Sequence, residues 1–526
     1  MQNAPQTLRV LARSGMIRPI GPRAILGTLK ALKTYGLGPA GGFTALALRS
    51  PRKVGLVDEL GELTFRELDE RSNALANELL RLGVGPGDGV AIMCRNHRGF
   101  LDASLAAAKL GADMLYLNTA FAGPQLVEVI GREKPTVLVY DQEFTGLLSG
   151  VDGVTRVLAW VDQPDDETPD VESLIRSGST VAPAAPPRPG RIVILTSGTT
   201  GTPKGAPRSE AGIDAAAALL SRIPLRRGQR TYVAAPLFHT WGLAHLLLGM
   251  LLETEVVVTR RFDPETFLRV LDEKACDTAV VIPVFLQRVL QLPEETTARY
   301  DLSRLKVVAS SGSALPGDLA QDWMDRFGDN LYNTYGSTEV AYATIATPED
   351  LRSAPGTAGR PPLGAVVRLY DDQDRPAAPG ESGRIFVGNG MLFEGYTGGG
   401  GKAPIDGLMS SGDVGRFDAE GRLFVEGRDD DMIVSGGENV FPQEIEDCLT
   451  RHDAVVEAAA IGVEDPEFGK RLRAFVVTAE PVTEDDLKDW VKANLARYKV
   501  PREIVFIDEL PRNATGKILK RVLAEQ

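Results

Sequence analysis

The sequence predicts an α/β protein with a large, multi-subdomain N-terminal α/β body and a small C-terminal α+β domain. Three observations carry this. The chain has 526 residues, too many for one hydrophobic core. From about residue 54, strand-like and helix-like patterns alternate, which implies sheets covered by helices. At "EGRDDD" the composition changes abruptly, with five charges in six residues between two apolar segments. The chain divides on these grounds into a basic N-terminal arm (1–50), a large domain (51–429) and a small domain (430–526).

The arm contains no Asp or Glu, yet carries Arg9, Arg13, Arg18, Arg23, Lys30, Lys33 and Arg49 among Leu, Ile, Val and Met. Gly and Pro interrupt it too often for a signal peptide, and it lacks a compact apolar centre. Two readings stand: a basic amphipathic segment that touches anionic lipid headgroups, or an arm packed on the acidic body. In the body, Thr64 and Glu67 form a capping-box pair. Phe65, Leu68, Leu75, Leu79 and Leu82 give one apolar face, and Gly83 ends the helix. "STVAPAAPPRPG", 179–190, reads as a proline-rich linker. In the small domain, Pro442 starts a helix with Ile445, Cys448 and Leu449 on one face, and "RAFVVTA" is a strand. A second helix from Thr483 aligns Leu487, Trp490, Val491 and Leu495.

Composition excludes several classes. Hydrophobic residues at 43% and charged residues at 25% are ordinary globular values, and no apolar run approaches the roughly 18 residues of a membrane span. A net charge of -13 disfavours broad nucleic-acid binding, which needs basic surface. Cys94, Cys276 and Cys448 are widely separated without metal spacing, and suit a reducing cytoplasm.

Four stretches carry chemistry. "ILTSGTTGTPKG", 194–205, is an apolar run that breaks into Gly, Ser and Thr, with Lys204 adding a positive charge. Such a loop turns its N–H groups toward an anion, but the spacing is not that of a Walker A loop. "YGSTE", 335–339, offers an aromatic face, two hydroxyls and a carboxylate suited to Mg²⁺. In "SSGDVGRF", Gly turns place Asp413 to bond sugar hydroxyls, and in "PRNATGKILKR", Lys517 follows Gly516. Each of these alone is more often an ordinary turn.

In this order, over about 50–525, they resemble the adenylate-forming superfamily of acyl-CoA synthetases, luciferases and peptide-synthetase adenylation domains. The resemblance implies a two-step reaction with ATP, Mg²⁺ and CoA. A carboxylic acid is first converted to acyl-AMP and pyrophosphate, and the acyl group then passes to CoA. It implies that Thr196, Ser197, Gly198, Thr199, Thr200, Gly201 and Lys204 hold the ATP phosphates. Tyr335 would lie on adenine beside Gly336, with Thr338 on the α-phosphate and Glu339 on Mg²⁺. Ser311 and Gly312 would run alongside the base, Asn333 would approach its amino group, and Asp413 and Arg428 would reach the ribose. Asp430 would be the pivot of a mobile small domain. That domain presents either Lys517 for adenylation or the Ser435, Gly436, Gly437 strand for the thiol.

"PLFHTWGLAHLLLGMLL", 236–252, falls where the family lines its acyl pocket, with Phe238 and Trp241 as apolar lining and His239 near the substrate carboxylate. The absence of an acid before Glu253 argues against an amino-acid substrate, whose ammonium would need a partner. His245 reads as a packing residue. Apolar lining with a basic arm points to a medium- or long-chain fatty acid. The alternatives are an aromatic acid and a fatty acyl-AMP ligase that loads a carrier protein. A luciferase-like oxidation would use the same motifs. A non-catalytic nucleotide-binding module is disfavoured because Lys204, Glu339, Asp413 and Lys517 are all present.

Overall fold

The computed structural model describes residues 4–17, 21–165, 167–196, 204–208, 213–337, 340–371, 373–391, 404–429, 433–435, 438–440, 442–465, 469–495, 499–513 and 516–525. The body is built on two mainly parallel sheets. One has six strands in the order Thr155–Trp160, Val137–Asp141, Gly89–Met93, Asp113–Tyr116, Ile192–Thr196, Lys204–Arg208, the last antiparallel to its neighbour. The other has eight, and at its centre Arg230–Val233, Thr278–Val281, Val307–Ser310 and Leu331–Tyr335 lie side by side and parallel. Thr278–Val281 and Val307–Ser310, at the middle of these, are almost continuous Val and Ala because both faces are covered.

Helices Phe65–Arg81 and Arg98–Leu110 pack on each other, and apolar residues of both sheets join them in one core. The first begins as expected, with the Glu67 N–H donating to Thr64 Oγ1 (3.2 Å) and the Thr64 N–H to Glu67 Oε2 (2.7 Å). Such a cap is worth roughly 1 kcal/mol. Gly83, at φ 91°, follows its last turn.

The proline-rich stretch does not hang between domains. Asn73 donates to the Thr180 carbonyl (3.0 Å) and Asn77 to those of Ser179 (2.8 Å) and Val181 (2.9 Å), strapping it along the Phe65–Arg81 helix. The arm is three helices, Ala4–Ser14, Pro22–Tyr35 and Pro39–Arg49. The third is part of the body: Ala40, Phe43 and Leu46 lie in the main core, and Arg49 pairs with buried Glu253 at 2.7 Å. Packing thus accounts for this part of the arm.

A four-stranded antiparallel sheet, Val366–Tyr370, Gly383–Gly388, Met409–Phe417 and Leu423–Arg428, completes the body. The small C-terminal domain has its own sheet, in which the long strands Val455–Asp465 and Gly469–Thr478 pair antiparallel and Glu503–Phe506 adds in parallel. Helices Pro442–Thr450 and Glu484–Asn494 cover it through Ile445, Cys448, Leu449, Leu487 and Val491. Trp490 donates its indole N–H to the Cys448 carbonyl (2.8 Å), tying the two helices together.

Candidate active site

Parallel strands end together, and their exit loops form a crevice where ligands bind in open α/β sheets. In the eight-stranded sheet the register Val281↔Ser310↔Asn333 brings three exits to one level. Ile282 and Ser311–Gly312 follow the first two directly, and Tyr335, the last strand residue, and Gly336 come just after Asn333 and Thr334. The chain turns sharply after Tyr335, since a Cβ on Gly336 would lie 2.2 Å from the Ala341 carbonyl oxygen. Gly312 adopts φ 102°, and the Ser311 hydroxyl donates to the Thr334 carbonyl at 2.8 Å.

This edge is unusually polar for its burial. Asn333 Oδ1, Ser310 Oγ and Thr334 Oγ1 are buried and lack a hydrogen-bond partner among the described residues. A buried acceptor left unmatched costs about 1–3 kcal/mol. A ligand donor placed here would remove that cost.

The antiparallel sheet supplies the facing wall. Asp413 and Arg428 are cross-strand partners, and Arg428 NH1 approaches Asp413 Oδ1 at 3.3 Å. The Tyr335 hydroxyl donates to Asp413 Oδ2 (2.5 Å) and lies 3.1 Å from Ser411 Oγ. Gly412, at φ 82°, lets the Arg428 guanidinium pass where a Cβ would sit 3.0 Å from it. Burial raises the Asp413 pKa above the usual carboxylate range, opposed by the Tyr335 hydrogen bond and by the charges of Arg428 and Lys517. Burial and the Asp413 charge hold the Tyr335 hydroxyl protonated. A carboxylate has about four acceptor sites, so Asp413 keeps capacity for two further donors.

Lys517 comes from the small domain. Its loop turns at Gly516 (φ 78°), where a Cβ would lie 2.7 Å from Val284 Cγ1 and 3.4 Å from Ile282 Cδ1. The loop therefore rests on the Thr278–Val281 exit, and Lys517 is close enough for its charge to act on Asp413. Gln287 adds a second contact between the domains, to the Val456 carbonyl (3.4 Å). Asn513 holds the loop, its Oδ1 accepting from the Lys517 N–H (2.9 Å).

One strand further along the sheet, the exit of Arg230–Val233 leads through 234–238 to His239, the N-cap of helix Thr240–Leu251. Phe238 is buried in the main core, whereas His239 is partly exposed. Although the residue keeps some exposed surface, its imidazole is largely enclosed, and desolvation pushes it down to about 4, so it is neutral near pH 7. Trp241 is half-buried; its indole donates to the Val281 carbonyl (3.1 Å) and its ring meets His245 edge-on at 4.2 Å. His245 is buried, as expected of a packing residue.

Asn96 was not singled out from the sequence. Its amide donates to the Ala235 carbonyl (2.9 Å) and its oxygen accepts from the Leu237 N–H (2.8 Å), fixing the segment that presents His239. Only its position after an apolar strand, in "CRNHRGF", hinted at a role. The neighbouring Cys94, His97 and Asp141 cluster is buried, but both His97 nitrogens are engaged. One faces Asp141 at 2.7 Å and the other accepts from the Gly99 N–H at 3.1 Å. That cluster serves the fold rather than a metal.

Of the remaining expected residues, Thr196 ends one strand and Lys204 opens the next, paired in register across a hairpin. Ser435 ends the Ile433–Ser435 strand of the small domain, opposite Glu438 and Gly469. Ser197, Gly198, Thr199, Thr200, Gly201, Thr338, Glu339, Asp430, Gly436 and Gly437 lie outside the described residues.

Residues 43–397 match the AMP-binding enzyme family and residues 444–517 its C-terminal domain, so the chain belongs to the AMP-binding, adenylate-forming enzymes. It is 33% identical over 469 residues to a feruloyl-CoA synthase of Amycolatopsis sp, spanning 87% of this chain and 92% of that one. It is 32% identical over 472 residues to an indoleacetate–CoA ligase of Aromatoleum aromaticum, again 87% of this chain and 92% of the relative. Among solved structures, an anthranilate CoA ligase in complex with anthranoyl-AMP superposes with a TM-score of 0.83 at 26% identity, covering 93% of this chain and 97% of that one. These relatives are named for aromatic acids, whereas the apolar lining and basic arm point to a fatty acid. The arm's third helix is explained by packing.

Proposed function

We propose that the protein is an AMP-forming acid–CoA ligase that activates an aryl or arylalkyl carboxylic acid. The observation that carries the reading is Lys517, brought by the small domain to the strand exits where Asp413, Arg428 and Tyr335 meet. The aromatic class is supported by the feruloyl-, indoleacetate- and anthranilate-CoA ligases it resembles.

In this reading the ribose hydroxyls of ATP donate to the two open acceptor sites of Asp413. The adenine amino group donates to Asn333 Oδ1, which is otherwise unmatched. Neutral His239 offers hydrogen bonding to the acid's carboxylate without a neutralising charge, so the oxygen stays nucleophilic. That oxygen attacks the α-phosphorus, and pyrophosphate departs with the electrons of the broken P–O bond. Lys517 neutralises charge as it builds on the phosphoryl oxygens. Glu339 would hold Mg²⁺, which when bound supplies further charge neutralisation to the phosphates. In the second step the CoA sulfur attacks the acyl carbon, AMP leaves, and the thiol proton passes to solvent. Rotation at Asp430 would withdraw Lys517 and bring Ser435, Gly436 and Gly437 toward the thiol.

The test is ATP-dependent pyrophosphate release, with and without CoA, over a panel of ferulate, indoleacetate, anthranilate and straight-chain acids. An aromatic acid should give the highest kcat/KM, and a thioester should form with CoA. A straight-chain acid preferred by tenfold or more would overturn the substrate class, and absence of thioester would overturn the acceptor.

A further inference from the structure

Large apolar side chains on a protein surface carry meaning when they cluster. Of the fifteen that are exposed among the described residues, seven fall in the first 48: Leu8, Ile17, Ile25, Leu26, Leu29, Leu37 and Leu48. Leu26 and Leu29 are 68% and 59% exposed. On the same helix, Pro22–Tyr35, Lys30 and Lys33 are exposed one turn from them, and Leu48 of the next helix lies against Gly27. The first 50 residues hold no carboxylate, although the whole chain is net -13.

A second observation comes from the first helix. Between Ala4–Ser14 and residues 220–226 lies a groove of about 200 Å³ lined by Arg13, Arg222 and Arg226 with Ser14 and Ser221, and by no acid. Asp350, the carboxylate that pairs with Arg222 at 2.6 Å, is shared with Arg360, also at 2.6 Å. Burial lowers the Arg222 pKa despite that pairing, the behaviour of a cation short of negative charge. The Ser14 and Ser221 hydroxyls donate to the Leu11 and Ala218 carbonyls of their own helices, so it is the exposed guanidiniums of Arg13 and Arg226 that match a phosphodiester.

We infer that the three N-terminal helices dock the enzyme on an anionic phospholipid surface, with the exposed leucines entering the headgroup boundary and the arginine groove taking a lipid phosphate. Apolar area and cationic charge on one helix, as Leu26, Leu29, Lys30 and Lys33 provide, is the combination that binds such an interface. An acidic protein partner would complement the charge alone and leave Leu26 and Leu29 without a role. The inference is independent of the acid that the enzyme activates.

The test is sedimentation of the full chain with vesicles of phosphatidylcholine alone and of phosphatidylcholine mixed with phosphatidylglycerol. Binding is expected only to the anionic vesicles and should weaken with salt. Leu26→Gln with Leu29→Gln should abolish it, and Lys30→Gln with Lys33→Gln should lower partitioning about 30-fold, taking each basic residue as one unit of surface attraction. Both pairs should keep the wild-type melting temperature and pyrophosphate release, since these side chains are exposed and remote from the strand exits. Equal binding to neutral vesicles, no binding to either, or binding unaffected by both pairs would overturn the inference. So would stabilisation by inorganic phosphate without vesicle binding, which would assign the groove to a free anion.

Discussion

Asp413→Asn separates a nucleotide-binding role from a structural one. The substitution keeps shape and removes charge. Asp413 accepts from Tyr335 and faces Arg428, and two acceptor sites remain for the ribose hydroxyls. A hydrogen bond to a charged group contributes about 1.5–3 kcal/mol and one to a neutral group about 0.5–1.5. Losing the charge from two such bonds therefore costs about 2–3 kcal/mol, a fall of roughly 30- to 150-fold in kcat/KM for ATP. Stability should move the other way. Burial raises the Asp413 pKa above its unfolded value, so ionised Asp413 weakens the fold as pH rises through that window. The neutral amide should not lower the melting temperature at pH 7. The assay is initial-rate pyrophosphate release against ATP and against 2′,3′-dideoxy-ATP, beside a thermal melt. Wild type should discriminate against the dideoxy nucleotide, and the variant should have lost most of that discrimination. Unchanged discrimination with a lowered melting temperature would refute the ribose role and leave Asp413 as a structural partner of Arg428.

Lys517→Ala should reduce acyl-adenylate formation by about 10²-fold or more while thioester formation from supplied acyl-AMP survives, measured as separate half-reactions; equal losses in both would contradict the division of labour. His245, held neutral by burial with a pKa of about 4, should cost the fold about 3 kcal/mol as pH falls from 6.5 to 4, because the unfolded chain takes up the proton first. Comparing melts of wild type and His245→Asn over that range should show a shallower decline in the variant. Trp241→Ala removes a ring that packs on the core and donates to the Val281 carbonyl, so a loss of about 3–5 kcal/mol in denaturant melts is expected. A change in the ranking of acids without loss of stability would instead make Trp241 a pocket wall.

The sequence by itself determined the layered α/β class, the small second domain and most of the residues now placed at the strand exits. These are local properties. The Thr64–Glu67 cap and the aligned faces of the two small-domain helices follow from periodicities of a few residues, and the motif order carried the family. Tertiary structure decided what depends on distant segments. Tyr335 and Asp413 are 78 positions apart, and only the docking of one sheet beside another makes them hydrogen-bond partners. Asn96 braces the His239 segment from 141 positions away, a contact that no local pattern encodes. The proline-rich stretch resembled a free linker because composition reports chain stiffness, whereas its strapping depends on Asn73 and Asn77 of another element. The arm was legible as basic and amphipathic, but which of its apolar residues enter the core was not. Leu46 and Leu48 are the same residue type two positions apart, and one is buried while the other is exposed because a helix turns them to different neighbours.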